Sequence, residues 1–419
     1  MQKLEVFGGK KLKGQINISG SKNASLPILA ATILSKKKIY LSNLPRVKDI
    51  ETMINLLKSI GSNIKLTKNK KSLLIQNDKI LKLYAPYKLV KTMRAGILVL
   101  GPMLARFNRA IVSLPGGCSI GTRPIDIHLN CLSKLGVKYK ILDGYVYASA
   151  KKGLIGARIK FPKVSVGATE NLIIAATMAK GISVFSNCAI EPEIKDLVKF
   201  LNKIGAKIKW IGKRTVKIYG VREFKENKFN IIFDRIEAGT YMIAAAITNG
   251  NILINGADHK IIKTEIELLK KIGVKIIIYK NKIRVIGSEN IKNTKILTAP
   301  YPGFPTDLQA QIMVLLSKAN GLSIINEKIF ENRFMHCGEL NRMGAKIKTK
   351  GNKAYIQGNT KFKSAELMAT DLRASVCLVL AALAAKGKSK INRIYHLDRG
   401  YEQIEKKLKK VGAKINRIS

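Results

Sequence analysis

Acidic residues are scarce in this chain. Asp and Glu number 27 against 76 Lys and Arg in 419 residues, a formal net charge of +49 at neutral pH. An excess of that size raises nucleic-acid binding as a function class. The lysines are spread along the whole length, as in Lys195, Lys199 and Lys203 or Lys406, Lys407 and Lys410, and gather into no tail. Aromatics make up only 6% of the residues and are not interleaved with the basic ones as a stacking platform would be. The excess reads as solvated surface, and no specific nucleic-acid partner is expected. A basic protein still attracts anionic small substrates.

Cysteines are few and odd in number: Cys118, Cys131, Cys188, Cys337 and Cys377, with no CxxC pair. That argues against disulfides or a zinc site and fits a reducing, cytoplasmic setting. The four histidines show no metal-ligand spacing, and His128 falls on the apolar side of a helix, where a satisfied, partly buried imidazole is the default. No apolar run is long enough to span a bilayer. The opening MQKLEVFGGKKLKG has no signal-type apolar stretch, so no membrane role is expected. There is no P-loop, dinucleotide fingerprint or catalytic triad, and nothing calls for a cofactor or metal.

What the chain does have is a six-fold repeat. An amphipathic helix ending in glycine and followed by a strand recurs as LLKSIGSNIKL, CLSKLGVKYKI, FLNKIGAKIKW, LLKKIGVKIII, LNRMGAKIKTK and LKKVGAKINRI. Its glycines are Gly61, Gly136, Gly205, Gly273, Gly344 and Gly412, spaced 68 to 75 residues apart. Ile194, Leu197, Val198, Leu201 and Ile204 make one apolar helical face, and the glycine then caps the helix in a left-handed conformation. A second strand often follows, as in TVKIYG, KIRVIG or KAYIQG, and an Ala-rich helix lies earlier in each unit. The sixth unit stops at Ser419 without its second strand, and the N-terminal KLEVFGG resembles the missing piece. Three units per domain then give residues 22–231 as one domain, and 1–21 plus 232–419 as the other.

Several residues could carry chemistry. LPGGCSIGTRPIDIH at 114–128 places the Cys118 thiol among glycines and prolines that exclude a regular helix or central strand. It is either a turn that contains a cysteine or a thiol available for chemistry beside cations. Lys22, in SGSKNASLP, stands at a helix start where a cation is disfavoured unless an anion binds there. Ser21 or Asn23 could serve simply as the cap. Arg94 is a surface salt-bridge residue or an anion contact, and Arg123 is the better anion clamp. Lys163, Ser165 and Gly167 precede a helix as an ordinary cap or an anion-binding turn. Thr306 and Asp307 either cap a helix, or Asp307 is a general base at a cleft edge. Asp398 and Arg399 could form a local ion pair. All these loops start helices in different repeats, and would converge if the two domains face each other across a cleft.

Taken in order, the blocks SGSKNA (19–24), KTMRAG (91–96), LPGGCSIGTRPIDIH (114–128), KVSVGAT (163–169), DRIEAGT (234–240), PTDLQAQ (305–311), FENRFMH (330–336), ATDLRAS (369–375) and IYHLDRGYE (394–402) resemble the UDP-N-acetylglucosamine 1-carboxyvinyltransferase family of enolpyruvyl transferases. The resemblance covers essentially the whole chain. It implies two inside-out, barrel-like α/β domains, each of three βαβαββ-type units. It implies transfer of the enolpyruvyl group of phosphoenolpyruvate to the 3′-hydroxyl of UDP-N-acetylglucosamine, an early step of peptidoglycan synthesis. By the same resemblance Cys118 is the proton donor on a closing lid, open to alkylation by the epoxide fosfomycin. Lys22, Asn23, Arg123 and Arg399 hold phosphate and carboxylate, and Asp307 is the general base. Arg94, Arg123, Pro124, Ile125, Asp126, Ile127, Lys163, Val164, Ser165, Val166, Asp307 and Ile329 contact the UDP-sugar, and Asp371 orders the site. The chain departs from the family at Cys337-Gly338, which touches local packing. The alternatives are a nucleic-acid-binding repeat protein and the shikimate 3-phosphate enolpyruvyl transferases, which share the fold but lack the thiol loop.

Overall fold

The computed structural model describes residues 2–80, 82–116 and 125–419. The described chain divides into two compact units. One holds residues up to Ser19 together with Phe233–Ser419, and the other holds Gly20 to Ile232. Each unit contains three four-stranded sheets with the same internal logic. In the repeat built from Arg158–Lys160, Val166–Ala176, Ile182–Ser186, Pro192–Lys203, Lys207–Gly212 and Thr215–Tyr219, the elements alternate strand, helix, strand, helix, then a hairpin. The first two strands pair in parallel and the hairpin pairs antiparallel to the second.

Two kinds of helix follow from two kinds of sequence. Helices that are mainly apolar and have no exposed face form the cores. Every residue of Arg235–Ile247 is buried, as is every residue of Gln309–Leu316. A helix with no polar stripe has no face to give to water and is stable only inside. The second kind is amphipathic, such as Lys48–Ile60, which ends at Gly61 with φ 112°, a left-handed cap that glycine takes without a Cβ penalty. The sheets turn alternate residues inward onto the helices, and strands such as Lys346–Lys350 send lysines outward. The positive charge is thus distributed over the solvent faces of the sheets.

The strand Lys3–Phe7 lies between Lys388–Asn392 and Lys414–Ile418, antiparallel to both. The next strand behaves in a way the repeat pattern did not reveal. Lys13–Asn17 precedes the helix Lys22–Ala31 in sequence, yet pairs in parallel with Asn251–Asn255, the strand after Arg235–Ile247. Asn227–Asn230 precedes Arg235–Ile247 and pairs instead with Ile39–Ser42. The first strands of these two repeats are therefore exchanged where the chain passes between units.

Candidate functional site

In the unit containing Phe233–Ser419, Pro305 starts a short turn, Thr306–Leu308, that runs into the helix Gln309–Leu316. Neither Thr306 nor Asp307 caps a helix. The Thr306 hydroxyl donates to Glu327 Oε2 at 2.9 Å. Glu327 is buried, and its Oε1 also accepts from Thr298 Oγ1 and from the N–H groups of Ile329 and Phe330. One buried carboxylate thus pins three segments around Asp307. The Asp307 carboxylate is gripped by two guanidiniums: Arg333 Nη2 donates to Oδ1 at 2.9 Å and Arg373 Nη2 to Oδ2 at 2.7 Å. Both arginine side chains are almost wholly buried, whereas Asp307 keeps 27% of its side chain exposed. The carboxylate is thereby oriented and still reachable.

Burial alone would lower the Arg373 pKa, but Asp307, with Tyr401 and Asp234, outweighs it and the guanidinium is held above its ordinary value. Arg373 is aimed by its helix, Leu372–Ala384, whose N-cap is Asp371; the Asp371 carboxylate accepts from the N–H groups of Arg373 (2.7 Å) and Ala374 (3.1 Å). Arg399, half-buried, ends the turn Ile394–Arg399. Its neighbour Asp398 makes a bidentate pair with Arg417 at 2.6 and 2.9 Å, which replaces the expected local ion pair with Arg399.

In the unit spanning Gly20 to Ile232, Ser21 caps the helix Lys22–Ala31 by accepting from Ala24 N–H, and Lys22 and half-buried Asn23 are its first residues. Lys22 Nζ reaches Asp49 Oδ2 at 3.2 Å. Asp49 is buried, so this partner fixes the ammonium at a position where the helix alone would repel it. Half-buried Arg94 opens the turn Arg94–Val99, and Ser165 caps Val166–Ala176 with exposed Lys163 just before it. Val164 is half-buried and Val166 is exposed. Asp126 is exposed at the start of Asp126–Ser133, but the side chains of Ile125 and Ile127 are buried. Those two isoleucines offer a ligand chiefly their backbone. Cys118, Arg123 and Pro124 lie outside the described residues.

His128 is a core imidazole. Its Nδ1 lies 3.2 Å from Asn171 Nδ2, which assigns the acceptor role to Nδ1 and the proton to Nε2 in the neutral ring. Burial, then Arg94, push its pKa down to about 4 against the opposing pull of Asp126. In the unfolded chain the imidazole binds its proton near pH 6.5. The group therefore contributes full stability above pH 6.5, and this is lost as pH falls from 6.5 to about 4. The loss amounts to about 3 kcal/mol. The His128 Cε1 proton resonance is expected to show no titration above pH 5.5; a midpoint near 6.5 would contradict the buried assignment.

The blocks around Arg333 and Arg373 carry the resemblance without marking a role for either residue, and nothing local in the sequence singles out Asp49 or Glu327. Their partners lie 26, 66, 27 and 21 residues away, and no local pattern marks such pairs. Cys337, at the family departure, is buried against Met313 with its thiol pushed up to about 12 by burial. Among the described residues no group of three or more His, Cys, Asp and Glu could hold a metal ion, and no helix is long and apolar enough to cross a membrane. Chemically, the first unit offers an oriented carboxylate suited to take a hydroxyl proton. The second offers a lysine at a helix N-terminus suited to an anion.

Comparison with known proteins shows the family of the chain. Residues 6–408 match the family model of EPSP synthase (3-phosphoshikimate 1-carboxyvinyltransferase). The chain is 72% identical over its full length, and that of the relative, to UDP-N-acetylglucosamine 1-carboxyvinyltransferase of Pelagibacter ubique. It is 52% identical to the enzyme of the same name from Trichlorobacter lovleyi, again with both chains fully covered. Among solved structures, the enolpyruvyl transferase NikO from Streptomyces tendae is similar with a TM-score of 0.91 at 22% identity, covering 99% of this chain and 98% of that one. EPSP synthase from Acinetobacter baumannii is similar with a TM-score of 0.78 at 17% identity over both whole chains. At such identities these structures speak for the fold alone.

Proposed function

The chain belongs to the UDP-N-acetylglucosamine 1-carboxyvinyltransferases of the EPSP synthase family, and from that membership we infer that it transfers the enolpyruvyl group of phosphoenolpyruvate to the 3′-hydroxyl of UDP-N-acetylglucosamine and releases phosphate. This is a step toward peptidoglycan, and the cytoplasm is its setting. The reaction is an addition followed by an elimination. The sugar oxygen bonds to C2 of phosphoenolpyruvate as the hydroxyl gives up its proton, and C3 gains a proton to become methyl. The tetrahedral ketal then loses a proton from C3, the C2–O bond to phosphate breaks, and the enol ether double bond forms.

The observation that carries the geometry is the partly exposed Asp307 carboxylate held between Arg333 and Arg373. We assign it the sugar hydroxyl proton. Cys118 gives the proton to C3. Lys22, held by Asp49, joins Asn23, Arg123 and Arg399 on the phosphate and carboxylate, where their charges stabilise the anionic intermediate. The UDP-sugar is taken by Arg94, residues 123–127 and 163–166, Asp307 and Ile329, with Ile125 and Ile127 acting through backbone. Asp371 acts as the cap that aims Arg373.

A coupled phosphate-release assay tests the reading. Phosphate is expected only when phosphoenolpyruvate and UDP-N-acetylglucosamine are both present. Cys118→Ala is expected to lower the rate on the order of 10²- to 10⁴-fold, as removal of a general acid does. Intact mass after fosfomycin treatment should show one adduct in the wild type and none in Cys118→Ala. Equal turnover with shikimate 3-phosphate, or an adduct at another cysteine, would overturn the assignment.

A further inference from the structure

Behind Asp307 lies a buried polar cluster that the reaction as written does not use. Thr240, Gln311, Arg373 and Tyr401 are all buried, and they come from separate stretches of the same unit. Proton bookkeeping settles who donates to whom. Thr240 Oγ1 spends its one proton on the Ile236 carbonyl at 2.9 Å, within its own helix. The 2.8 Å contact between Thr240 Oγ1 and the Tyr401 hydroxyl is therefore donated by Tyr401. Tyr401 has then used its proton, and its oxygen accepts from Arg373 Nη1 and Gln311 Nε2, each at 3.3 Å. Gln311 Nε2 also donates to the Asp307 backbone carbonyl at 2.9 Å, so its second proton is shared between Tyr401 and Thr240 Oγ1, the latter 3.4 Å away.

Asp307 is thus held twice, at its carboxylate by Arg373 and at its backbone by Gln311, and both holders meet on one phenolic oxygen. Burial, against the pull of Arg373, raises the Tyr401 phenol above its ordinary value and keeps it a donor. An apolar substitute would leave a buried guanidinium proton without an acceptor, and the arginine would turn to find one.

We propose that Tyr401, backed by Thr240 and Gln311, is a positioning set that fixes Arg373 and the Asp307 turn for the proton transfer. The proposal rests on Asp307 being the base. The set touches no reacting atom, so its loss should slow turnover while leaving both substrates bound.

The test compares Tyr401→Phe, Thr240→Val and Thr240→Ser, with Asp307→Asn run alongside. Tyr401→Phe and Thr240→Val are expected to lower kcat about 10-fold, as a small misplacement of a catalytic group does. KM for both substrates should stay within about twofold, since Asp307 is one of many contacts assigned to the UDP-sugar and the others are untouched. The acid limb of the kcat profile should move to higher pH, because a loosened Arg373 stabilises the ionised carboxylate less. Thr240→Ser keeps the hydroxyl and should restore most of the rate, and fosfomycin alkylation at Cys118 should be unchanged in all. Wild-type kcat and an unmoved acid limb in Tyr401→Phe and Thr240→Val, with Asp307→Asn inactive, would overturn the positioning role alone. Wild-type turnover in Asp307→Asn would overturn the base assignment beneath it. A fall in rate with thermal midpoint and both KM values all degraded, and no rescue by Thr240→Ser, would reduce the cluster to a structural one and also overturn the proposal.

Discussion

Asp307→Asn is expected to lower kcat on the order of 10²- to 10⁴-fold, the contribution of a positioned general base. The change keeps the shape of the side chain and removes its charge. In the native protein Arg333 donates to Oδ1 of the carboxylate and Arg373 to Oδ2. An amide can accept from only one of them and presents N–H donors to the other. The variant therefore also weakens the clamp, at about 2 kcal/mol once the exposed part of the carboxylate is allowed for. Asp307→Glu separates the two effects. It retains a charge for both arginines but displaces it by one methylene, so stability should largely return while kcat stays about 10²-fold down. Single-turnover phosphate release reads the chemical step, and fosfomycin labelling of Cys118 reports that the rest of the site is intact. A full single-turnover rate in Asp307→Asn would remove this residue from the mechanism.

Gly358→Ala is expected to destabilise the protein by about 3 kcal/mol or more, the high end of overpacking. Gly358 follows the strand Lys353–Gln357, and a Cβ there would stand 1.7 Å from the Ala319 carbonyl oxygen. The obstacle is backbone, so no rotamer relieves it. The same crowding recurs in other repeats. A Cβ at Gly220 would lie 1.8 Å from the Ala179 oxygen, and one at Gly8 2.2 Å from the oxygens of Ala382 and Ala385. In each place the end of an inner strand of the sheet meets backbone just beyond a buried helix, or in its last turn, with no side chain between. A midpoint lowered by roughly 10 °C is the expected readout for a unit of this size. Gly338→Ala is the control: it sits in the helix Cys337–Arg342 with nothing within 4 Å of a new Cβ. It should be neutral or gain about 0.5–1 kcal/mol from helix propensity. Equal melting of Gly358→Ala and wild type would contradict the packing described.

A different set of glycines made the architecture legible. The helix-ending glycines Gly61, Gly136, Gly205, Gly273, Gly344 and Gly412 all have positive φ, so a backbone requirement was written as a residue identity at a near-constant period. The Ala-rich helices announced themselves by lacking a polar face, and they are the buried ones. The exchange of Lys13–Asn17 and Asn227–Asn230 left no such mark, because a four- or five-residue parallel strand carries no label for its partner. The same limit applied at the site. Lys22 stood out for its awkward local position, a cation at a helix start. Arg333, Arg373, Asp49 and Tyr401 have their meaning only through partners distant in sequence. Thr306 and Asp307 looked locally like caps because nothing nearby reveals Glu327 or the two arginines.

The placement of Lys3–Phe7 between Lys388–Asn392 and Lys414–Ile418 has a consequence for how the molecule is made. The unit from Gly20 to Ile232 has all its strands once residue 232 has left the ribosome, and can close while translation continues. The earliest strand to emerge must wait for the last. Until then its open edge is exposed to other nascent chains, which makes translation of the final third the interval when chaperone protection matters most.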